Sequence, residues 1–395
     1  MAPAASLLPE TEHGGGDRPA AAREEVRPRG GSPDVRTGES RLVVPLSLVT
    51  LVLTYGLVVL GSTVRVTESG MGCASWPLCN GHLGFAGGYH ALLEQSHRYL
   101  AATVTISAFA TAWAARRSTG RRAASAPALV AAGLVLFQAA LGALTVFAHN
   151  APWTVAVHLV TGLVFLGVVT TTAVTALHGG HRFRLDLRAA GRWASVAVAA
   201  TLVLLVSGTL VVDGGAARVC PSWPICTHPG PLHLIALQLL HRSIVAVASV
   251  AMVGFVVTSW SRMTGHRWWR AGAAGLLALL CLVAGMGAAS ALSRARPLWQ
   301  DLHLACASAL WALLVALFVR AAIPDRAGDP DALPSVPSRT SARDAGPAGA
   351  ETDAADAETG AEPDVGGRRC FSEPAGSGPR SGTGWATLQA GDQGG

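Results

Sequence analysis

Long apolar stretches without a charged side chain fill the middle of the sequence. Twenty-three uncharged residues separate Arg41 from Arg65, and 59 residues without Asp, Glu or Arg separate Arg122 from Arg182. An α-helix needs about 20 apolar residues to cross the hydrocarbon layer of a bilayer. Half of all residues are hydrophobic and only 14% are charged, which argues against an ordinary soluble enzyme. The sequence therefore predicts an all-α membrane protein.

Eight membrane-spanning helices are predicted from these stretches. The 59-residue stretch is too long for one span, and Asn150 and Pro152 favour a turn that divides it into two. The other six spans are predicted at about residues 42–64, 92–115, 193–212, 233–260, 271–292 and 298–320. The chain is thus expected to cross the membrane many times and to contact membrane lipid.

The arginines beside the predicted spans indicate the orientation of the chain. Twelve of them lie on one side, and the opposite side holds Arg65, Arg218, Arg294 and Arg296. Because arginine accumulates in cytoplasmic loops, the richer side is predicted to be cytoplasmic, together with both termini. These loops explain the net charge of +6, which therefore gives no indication of a nucleic acid partner.

Both ends of the chain are predicted to be disordered cytoplasmic tails. Residues 1–40 are rich in Gly, Pro, Glu and Arg and lack the apolar run of a signal peptide. Residues 323–395 are acidic and rich in Ala, Gly, Ser and Pro. Neither segment has enough apolar residues to form a core, so we assign no chemistry to either.

The membrane part of the chain contains an internal repeat. The motif Cys-x-Ser-Trp-Pro-x-Cys begins at Cys73 and again at Cys220, which is 147 residues later. A His-Arg pair recurs in the same way, 144 residues apart. The repeat predicts two pseudo-symmetric four-helix bundles, an N-terminal half at residues 41–180 and a C-terminal half at residues 181–322.

One histidine lies near the outer end of each even-numbered predicted span. An imidazole is costly in a membrane helix and is usually functional, although a buried histidine bonded to a neighbouring helix is the plain alternative. Two imidazoles on facing helices can hold one haem iron, whereas zinc usually needs three or four protein ligands. The predicted iron ligands are His97 and His158 in the first half and His241 and His303 in the second.

One carboxylate distinguishes the two halves. Glu94 lies three residues before His97, and Gln238 takes the same position before His241. A carboxylate beside a porphyrin can accept protons or stabilise positive charge, and an amide can do neither. We therefore predict that the first half performs chemistry and that the second is a redox or structural copy. The alternative is that Glu94 only forms an ion pair with Arg98.

Four cysteines form two pairs in the predicted outer loops. Cys73 and Cys79 flank the first Trp-Pro motif, and Cys220 and Cys226 flank the second. Because the outer side of the membrane is oxidising, each pair is predicted to form a disulfide. We expect the disulfides to staple a lid over each haem pocket. A reducible pair that takes part in the chemistry is the alternative.

Three arginines are candidates for binding haem propionates. Arg65 precedes the first Cys motif, while Arg98 and Arg242 each follow a span histidine. A guanidinium group binds a carboxylate well, although each of these arginines is equally suited to anchor a helix at the membrane surface. Gln138 in the third span is predicted to hydrogen-bond to a neighbouring helix.

These motifs together resemble the haem A synthase family over about residues 42–322. The stretches that carry the resemblance are Gly61–Cys73, Trp76–Cys79, Glu94-x-x-His97-Arg98, Gln138–Val146, His158, Cys220–Cys226, Gln238-x-x-His241-Arg242 and His303. The segment 285–296 lacks a glutamine that would match Gln138, and the acidic C-terminal tail has no counterpart in the family pattern.

The resemblance implies an oxidoreductase that converts haem O to haem A by oxidising the C8 methyl group to a formyl group. It implies that the first half holds the substrate haem, that the second holds a haem b cofactor, and that Glu94 is essential for turnover. It also implies that the Cys73–Cys79 pair is important. A haem O synthase would supply the substrate, and the product would serve cytochrome c oxidase assembly in a bacterial plasma membrane. A homo-oligomer is an open alternative to a monomer.

Two other functions are compatible with the residue pattern. A two-haem electron-transfer protein without haem-modifying turnover would also place paired histidines in membrane bundles. All four span histidines are predicted to lie on one side of the membrane, however, which is unfavourable for electron transfer across it. A haem-handling protein without turnover is the third alternative, and the difference between Glu94 and Gln238 is evidence against it.

Overall fold

The computed structural model describes residues 35–84, 87–227, 229–263 and 265–323, without the side chains of residues 35–40 and 262. Its helices are α1 (Val35–Val66), α2 (Tyr89–Arg117), α3 (Ser125–Phe147), α4 (Pro152–His178), the one-turn α5 (Leu187–Ala190), α6 (Arg192–Asp213), α7 (Leu232–Met263), α8 (Arg267–Leu292) and α9 (Pro297–Ala322). We call α1–α4 the first repeat and α6–α9 the second repeat.

The first helix begins inside the segment that was predicted to be a tail. Residues 35–40 continue α1 beyond the apolar stretch, because extending an existing helix is easier than starting one. The rest of the predicted N-terminal tail, and the C-terminal tail after Ile323, lie outside the described residues.

Seven of the described helices are long and apolar enough to cross a membrane, namely α1, α3, α4, α6, α7, α8 and α9. The remaining long helix, α2, has 29 residues but carries Glu94, Arg98 and two arginines in its last turn. The chain is therefore a helical, multi-pass membrane protein. The eighth predicted span, over α2, stays a prediction.

The same tight turn joins the last two helices of each repeat. His149 and Asn150 have φ angles of 50° and 55°, and Arg294 and Ala295 have φ angles of 57° and 59°. A proline begins the next helix in both repeats, where its fixed φ suits the first helical position. The two turns are 145 residues apart and have different residues. The two repeats therefore share the backbone conformation of this turn although they do not share its sequence.

Four central helices join the two repeats. Helix α1 packs on α4 and α9, and α4 packs on α6 and α9. Within the first repeat α2 also packs along α3, whereas the equivalent α7 and α8 make few contacts with each other. The first repeat is therefore the more closed of the two.

Small residues pack the end of the first repeat that lies away from the Cys motifs. The buried cluster there contains Val43 and the alanines at 112, 114, 115, 124, 128, 132 and 176. Small side chains let the backbones of membrane helices approach closely. The opposite end of the repeat is not packed in this way, and it contains the candidate site.

Candidate functional site

A cavity of about 980 Å³ opens in the first repeat at the end that carries the Cys motif. Its polar lining from the first repeat includes Arg65, Glu94, His97, Gln138 and His158. Asp213, Arg218 and Gln300 of the second repeat also line it. The volume lies at the upper end of the range for small-molecule sites. The cavity therefore has room for a large flat ligand.

His97 and His158 of the first repeat each lie against a glycine of the preceding helix. A Cβ atom added at Gly61 would lie 2.9 Å from Cε1 of His97, and one added at Gly142 would lie 3.6 Å from Cε1 of His158. Both imidazoles line the same cavity. The structure thus brings together the two histidines that the sequence pairs, with each ring seated on helix backbone.

The second repeat reproduces this arrangement. A Cβ atom at Gly208 would lie 3.3 Å from Cε1 of His241, and one at Gly287 would lie 3.0 Å from Cε1 of His303. The glycines recur at offsets of 147 and 145 residues, so the repeat itself was a signal that could have revealed them.

The carboxylate of Glu94 is buried and bonded at both oxygens. Oε2 accepts from the backbone N–H of Cys73 at 2.8 Å, and Oε1 accepts from Arg98 Nη2 at 2.5 Å. The side chain is thus part of an ion pair and part of the cavity wall at once. Gln238 in the second repeat instead donates from Nε2 to the carbonyl oxygen of Ala216 at 2.9 Å.

Arg98 ties the first Cys loop to α2. Its guanidinium group donates to the carbonyl oxygen of Ser75 at 2.6 Å and to that of Cys73 at 3.3 Å, within a loop closed by the Cys73–Cys79 disulfide. Bonds to two more loop carbonyls complete the arrangement. The backbone N–H of Cys73 that binds Glu94 therefore belongs to a loop that is fixed by a disulfide and by hydrogen bonds from Arg98.

The second Cys loop is held by the equivalent arginine. Arg242 donates to the carbonyl oxygens of Pro224 at 2.8 Å and Cys220 at 3.3 Å. A disulfide joins Cys220 to Cys226. Arg98 and Arg242, two of the three candidates for binding propionates, thus donate to loop carbonyls. A propionate would have to compete with these carbonyls for the guanidinium N–H groups.

Two contacts between the repeats were not predicted. Arg65 Nη2 donates to Asp213 Oδ1 at 2.5 Å, and Thr63 Oγ1 donates to Asp301 Oδ2 at 2.8 Å. Each pair joins α1 to a residue more than 140 positions later, so no local pattern could reveal it. Arg65, the third candidate for a propionate, therefore already has one carboxylate partner.

The Nδ1 atoms of the four histidines have different surroundings in the two repeats. His241 Nδ1 lies 2.8 Å from Ser207 Oγ, and His303 Nδ1 lies 3.1 Å from the carbonyl oxygen of Val283. In the first repeat, Nδ1 of His158 faces the amide of Gln138 at 3.0 Å. Nδ1 of His97 is buried without a hydrogen-bond partner in the part of the chain that the structure describes.

Comparison with known proteins identifies one family over most of the described residues. Residues 45–85 and 88–315 match the family described as "COX15-CtaA: Cytochrome oxidase assembly protein". The chain is 30% identical over 179 residues to "Heme A synthase" of Lysinibacillus sphaericus, covering 44% of this chain and 58% of that protein. It is 30% identical over 286 residues to "Heme A synthase" of Symbiobacterium thermophilum, covering 68% and 92%. It is 33% identical over 143 residues to "Protoheme IX farnesyltransferase" of Haloarcula marismortui, covering 36% and 26%.

Proposed function

Because the chain belongs to the COX15-CtaA family of cytochrome oxidase assembly proteins, we propose that it is a haem A synthase that oxidises the C8 methyl group of haem O to a formyl group. The observation that carries the proposal is the buried carboxylate of Glu94 in the wall of a cavity that also contains His97 and His158. At the equivalent position the second repeat has the neutral Gln238. The relatives named "Heme A synthase" support the same activity.

We assign the substrate haem to His97 and His158 and a resident haem b to His241 and His303. Two imidazoles in each repeat could hold one haem iron, and each ring lies close to a glycine of the preceding helix. The cavity of the first repeat has the volume that a porphyrin needs. Haem b, when bound, supplies one-electron redox chemistry.

In this proposal, Glu94 acts on protons and on positive charge that arise at the reacting methyl group. Conversion of a methyl group to a formyl group with water as the oxygen source, R–CH3 + H2O → R–CHO + 4 H+ + 4 e−, releases four protons and four electrons, and an external electron acceptor must take the electrons. The carboxylate accepts protons that the substrate releases, or it stabilises positive charge that develops on the substrate. Its 5% exposure favours this role, because electrostatic stabilisation is stronger where water is excluded.

Arg65 is the strongest candidate to bind the propionates of the substrate haem. Its guanidinium group lines the cavity and has more donors than the single bond to Asp213 uses. Arg98 and Arg242 are mainly occupied in holding the Cys loops, so we assign them a secondary share in propionate binding. Arg218 lines the same cavity and adds a positive charge that the sequence pattern did not single out.

We place the chain in the plasma membrane of a bacterium, with eight spans in two four-helix bundles at residues 41–180 and 181–322. Helix α2 is the eighth span in this arrangement. The arginine distribution supports cytoplasmic termini, and the disulfides support outward Cys loops. A haem O synthase is the expected source of substrate, in line with the partial similarity to a protohaem IX farnesyltransferase.

The test is mass spectrometry of haems from bacterial membranes that contain a haem O synthase, with and without this chain. Haem A that is formed only with the chain would support the synthase activity. Unchanged haem O, with haem b that co-purifies with the folded protein, would contradict it. That second result would favour the two-haem electron-transfer protein instead.

Gly61→Ala is expected to remove most of the substrate haem from the purified protein. The new Cβ would lie 2.9 Å from Cε1 of His97, which is closer than real Cβ atoms come to other atoms, so the imidazole must move. The measurement is haem content per mole of protein, with haem O and haem b separated by chromatography. The haem b content should stay unchanged.

Gly142→Ala is the matched control for this prediction. Its Cβ would lie 3.6 Å from Cε1 of His158, which is ordinary van der Waals contact. We expect the haem O content of this variant to be close to that of the unmodified protein. Equal haem loss in both variants would contradict the role that we give to the close contact at Gly61.

A further inference from the structure

The cavity of the first repeat continues along its helices well past the two histidines. Its lining on α2 extends to Thr105, eight residues after His97, and its lining on α4 extends to Phe165, seven residues after His158. Because an α-helix rises about 1.5 Å per residue, this end of the cavity lies roughly 10 to 12 Å farther from the Cys motif than the histidines do. We call it the deep end of the cavity.

The two ends of the cavity differ in charge. The charged residues of its lining lie at the Cys-motif end, namely Arg65, Glu68, Glu94, Arg98, Asp213 and Arg218. Apolar residues such as Leu57, Val135 and Phe165 line the deep end. Both propionates of a haem project from the same edge of the macrocycle, and guanidinium groups bind carboxylates well. A haem in this cavity is therefore oriented with its propionates towards the Cys motif and its opposite edge towards the deep end.

The deep end has an apolar floor and free space at its side. Val135 and Phe165 belong to a buried apolar cluster, which forms the floor. Ala102 on α2 and Ala139 on α3 line the cavity with small side chains that remain exposed. A Cβ atom added at Gly162 on α4 would contact one described atom beyond its own helix, Oε1 of Gln138 at 3.7 Å. Small residues on three helices thus leave free space at the deep end.

We propose that the deep end binds the prenyl chain of the substrate haem and that Ala102 and Ala139 determine the specificity of the site for haem O. The inference rests on the proposed function, which supplies haem O as the substrate. Haem O carries a hydroxyethylfarnesyl group where haem b carries a vinyl group, on the edge that faces away from the propionates. The orientation that the arginines favour therefore brings this group to the deep end.

The site distinguishes the prenyl chain by the room that it offers rather than by hydrophobicity. Lipid tails are as apolar as the lining of the deep end, so a farnesyl chain gains little by leaving the bilayer. A haem b in the same place would leave the deep end empty, and the lining would lose dispersion contacts. Larger side chains in place of the two alanines would exclude the chain but not the porphyrin.

The test is the haem composition of the full chain, purified from cells that make both haem O and haem b. The haems are extracted, separated by chromatography and counted per mole of protein. Ala102→Leu and Ala139→Leu each enlarge a side chain of the deep end and leave both histidines in place. One methylene group in an apolar pocket changes discrimination by about 10- to 200-fold, so we expect the haem O content to fall about tenfold or more. Haem b should replace it, and the total haem content should stay unchanged.

Ala140→Leu is the matched control. Ala140 is the exposed neighbour of Ala139 on α3 and lies outside the lining of the cavity, so the same enlargement should leave the haem composition unchanged. Normal haem O content in Ala102→Leu and Ala139→Leu would overturn the proposal. Loss of total haem from these variants, or an equal loss of haem O from the control, would also overturn it, because either result would indicate general damage.

Failure of this inference can be told apart from failure of the proposed function. Haem A formation by the unmodified chain, combined with a haem O content that neither alanine variant changes, would contradict the role of the deep end alone. Replacement of haem O by haem b in the variants, without haem A formation by the unmodified chain, would contradict the synthase activity alone.

Discussion

Replacing Glu94 with Gln should lower haem A formation by about 100-fold or more while leaving both haems bound. General acid–base groups contribute about 10²- to 10⁴-fold to enzymatic rates, and an amide of the same shape cannot take up a proton. The amide oxygen can still accept from the N–H of Cys73, and Arg98 keeps its bonds to the loop carbonyls. The site should therefore keep its shape and its haem.

The measurement is the ratio of haem A to haem O in membranes that contain the variant, together with the absorption spectrum of the purified protein. Gln238→Glu is the matched control, because it adds a carboxyl group at the equivalent position of the second repeat. We expect it to leave haem A formation nearly unchanged, and we expect it not to restore activity to Glu94→Gln. Normal haem A formation by Glu94→Gln would contradict the proposed role of the carboxylate.

Removal of the first disulfide should lower haem A formation by about tenfold or more. The double substitution Cys73→Ser with Cys79→Ser leaves every backbone group in place, but it frees the loop whose N–H binds Glu94. Loss of a disulfide that closes a short loop lowers the free energy of unfolding by about 2 kcal/mol in the chain-entropy description. The Glu94 carboxylate would lose a fixed donor, although Arg98 would remain beside it.

The second Cys loop supplies the control for this experiment. Gln238 bonds to the carbonyl oxygen of Ala216, which lies outside the loop between Cys220 and Cys226. The double substitution Cys220→Ser with Cys226→Ser should therefore reduce stability to a similar extent and haem A formation much less. Equal losses of haem A from the two double variants, measured at equal amounts of folded protein, would show that the disulfides act only on stability.

The helices could be predicted from the sequence because their signal is local. An uncharged stretch of about 20 residues is recognisable by itself, and α6 and α9 differ from the predicted spans by only one or two residues at each end. The pairing of the histidines stays a prediction, which rests on the repeat that places them at nearly equal intervals. The start of α1 at Val35 was missed, since the polar turns there depend on the apolar helix that follows.

The supporting contacts of the site could not be predicted in the same way. No residue near Asp213 in the sequence indicates that Arg65 is its partner, because the ion pair forms only when the two repeats pack together. Ser207 is one of several serines in membrane helices, and only the structure shows that it faces His241. The glycines beside the histidines were within reach of the repeat analysis, but a glycine in a membrane helix is too common to be noticed alone.

Helix α1 links the two halves of the protein mechanically. Gly61 lies against the imidazole of His97, and six residues earlier the hydroxyl of Tyr55 donates to the carbonyl oxygen of Ala305, two residues after His303. A displacement of α1 on haem binding in one half would therefore reach the helix that carries an iron ligand of the other. By thermodynamic reciprocity, such a coupling would let occupancy of either site change the affinity of the other by the same factor. The proposed function therefore predicts a cooperative pair of sites, in which haem b bound at His241 and His303 changes the affinity of the first repeat for its substrate haem.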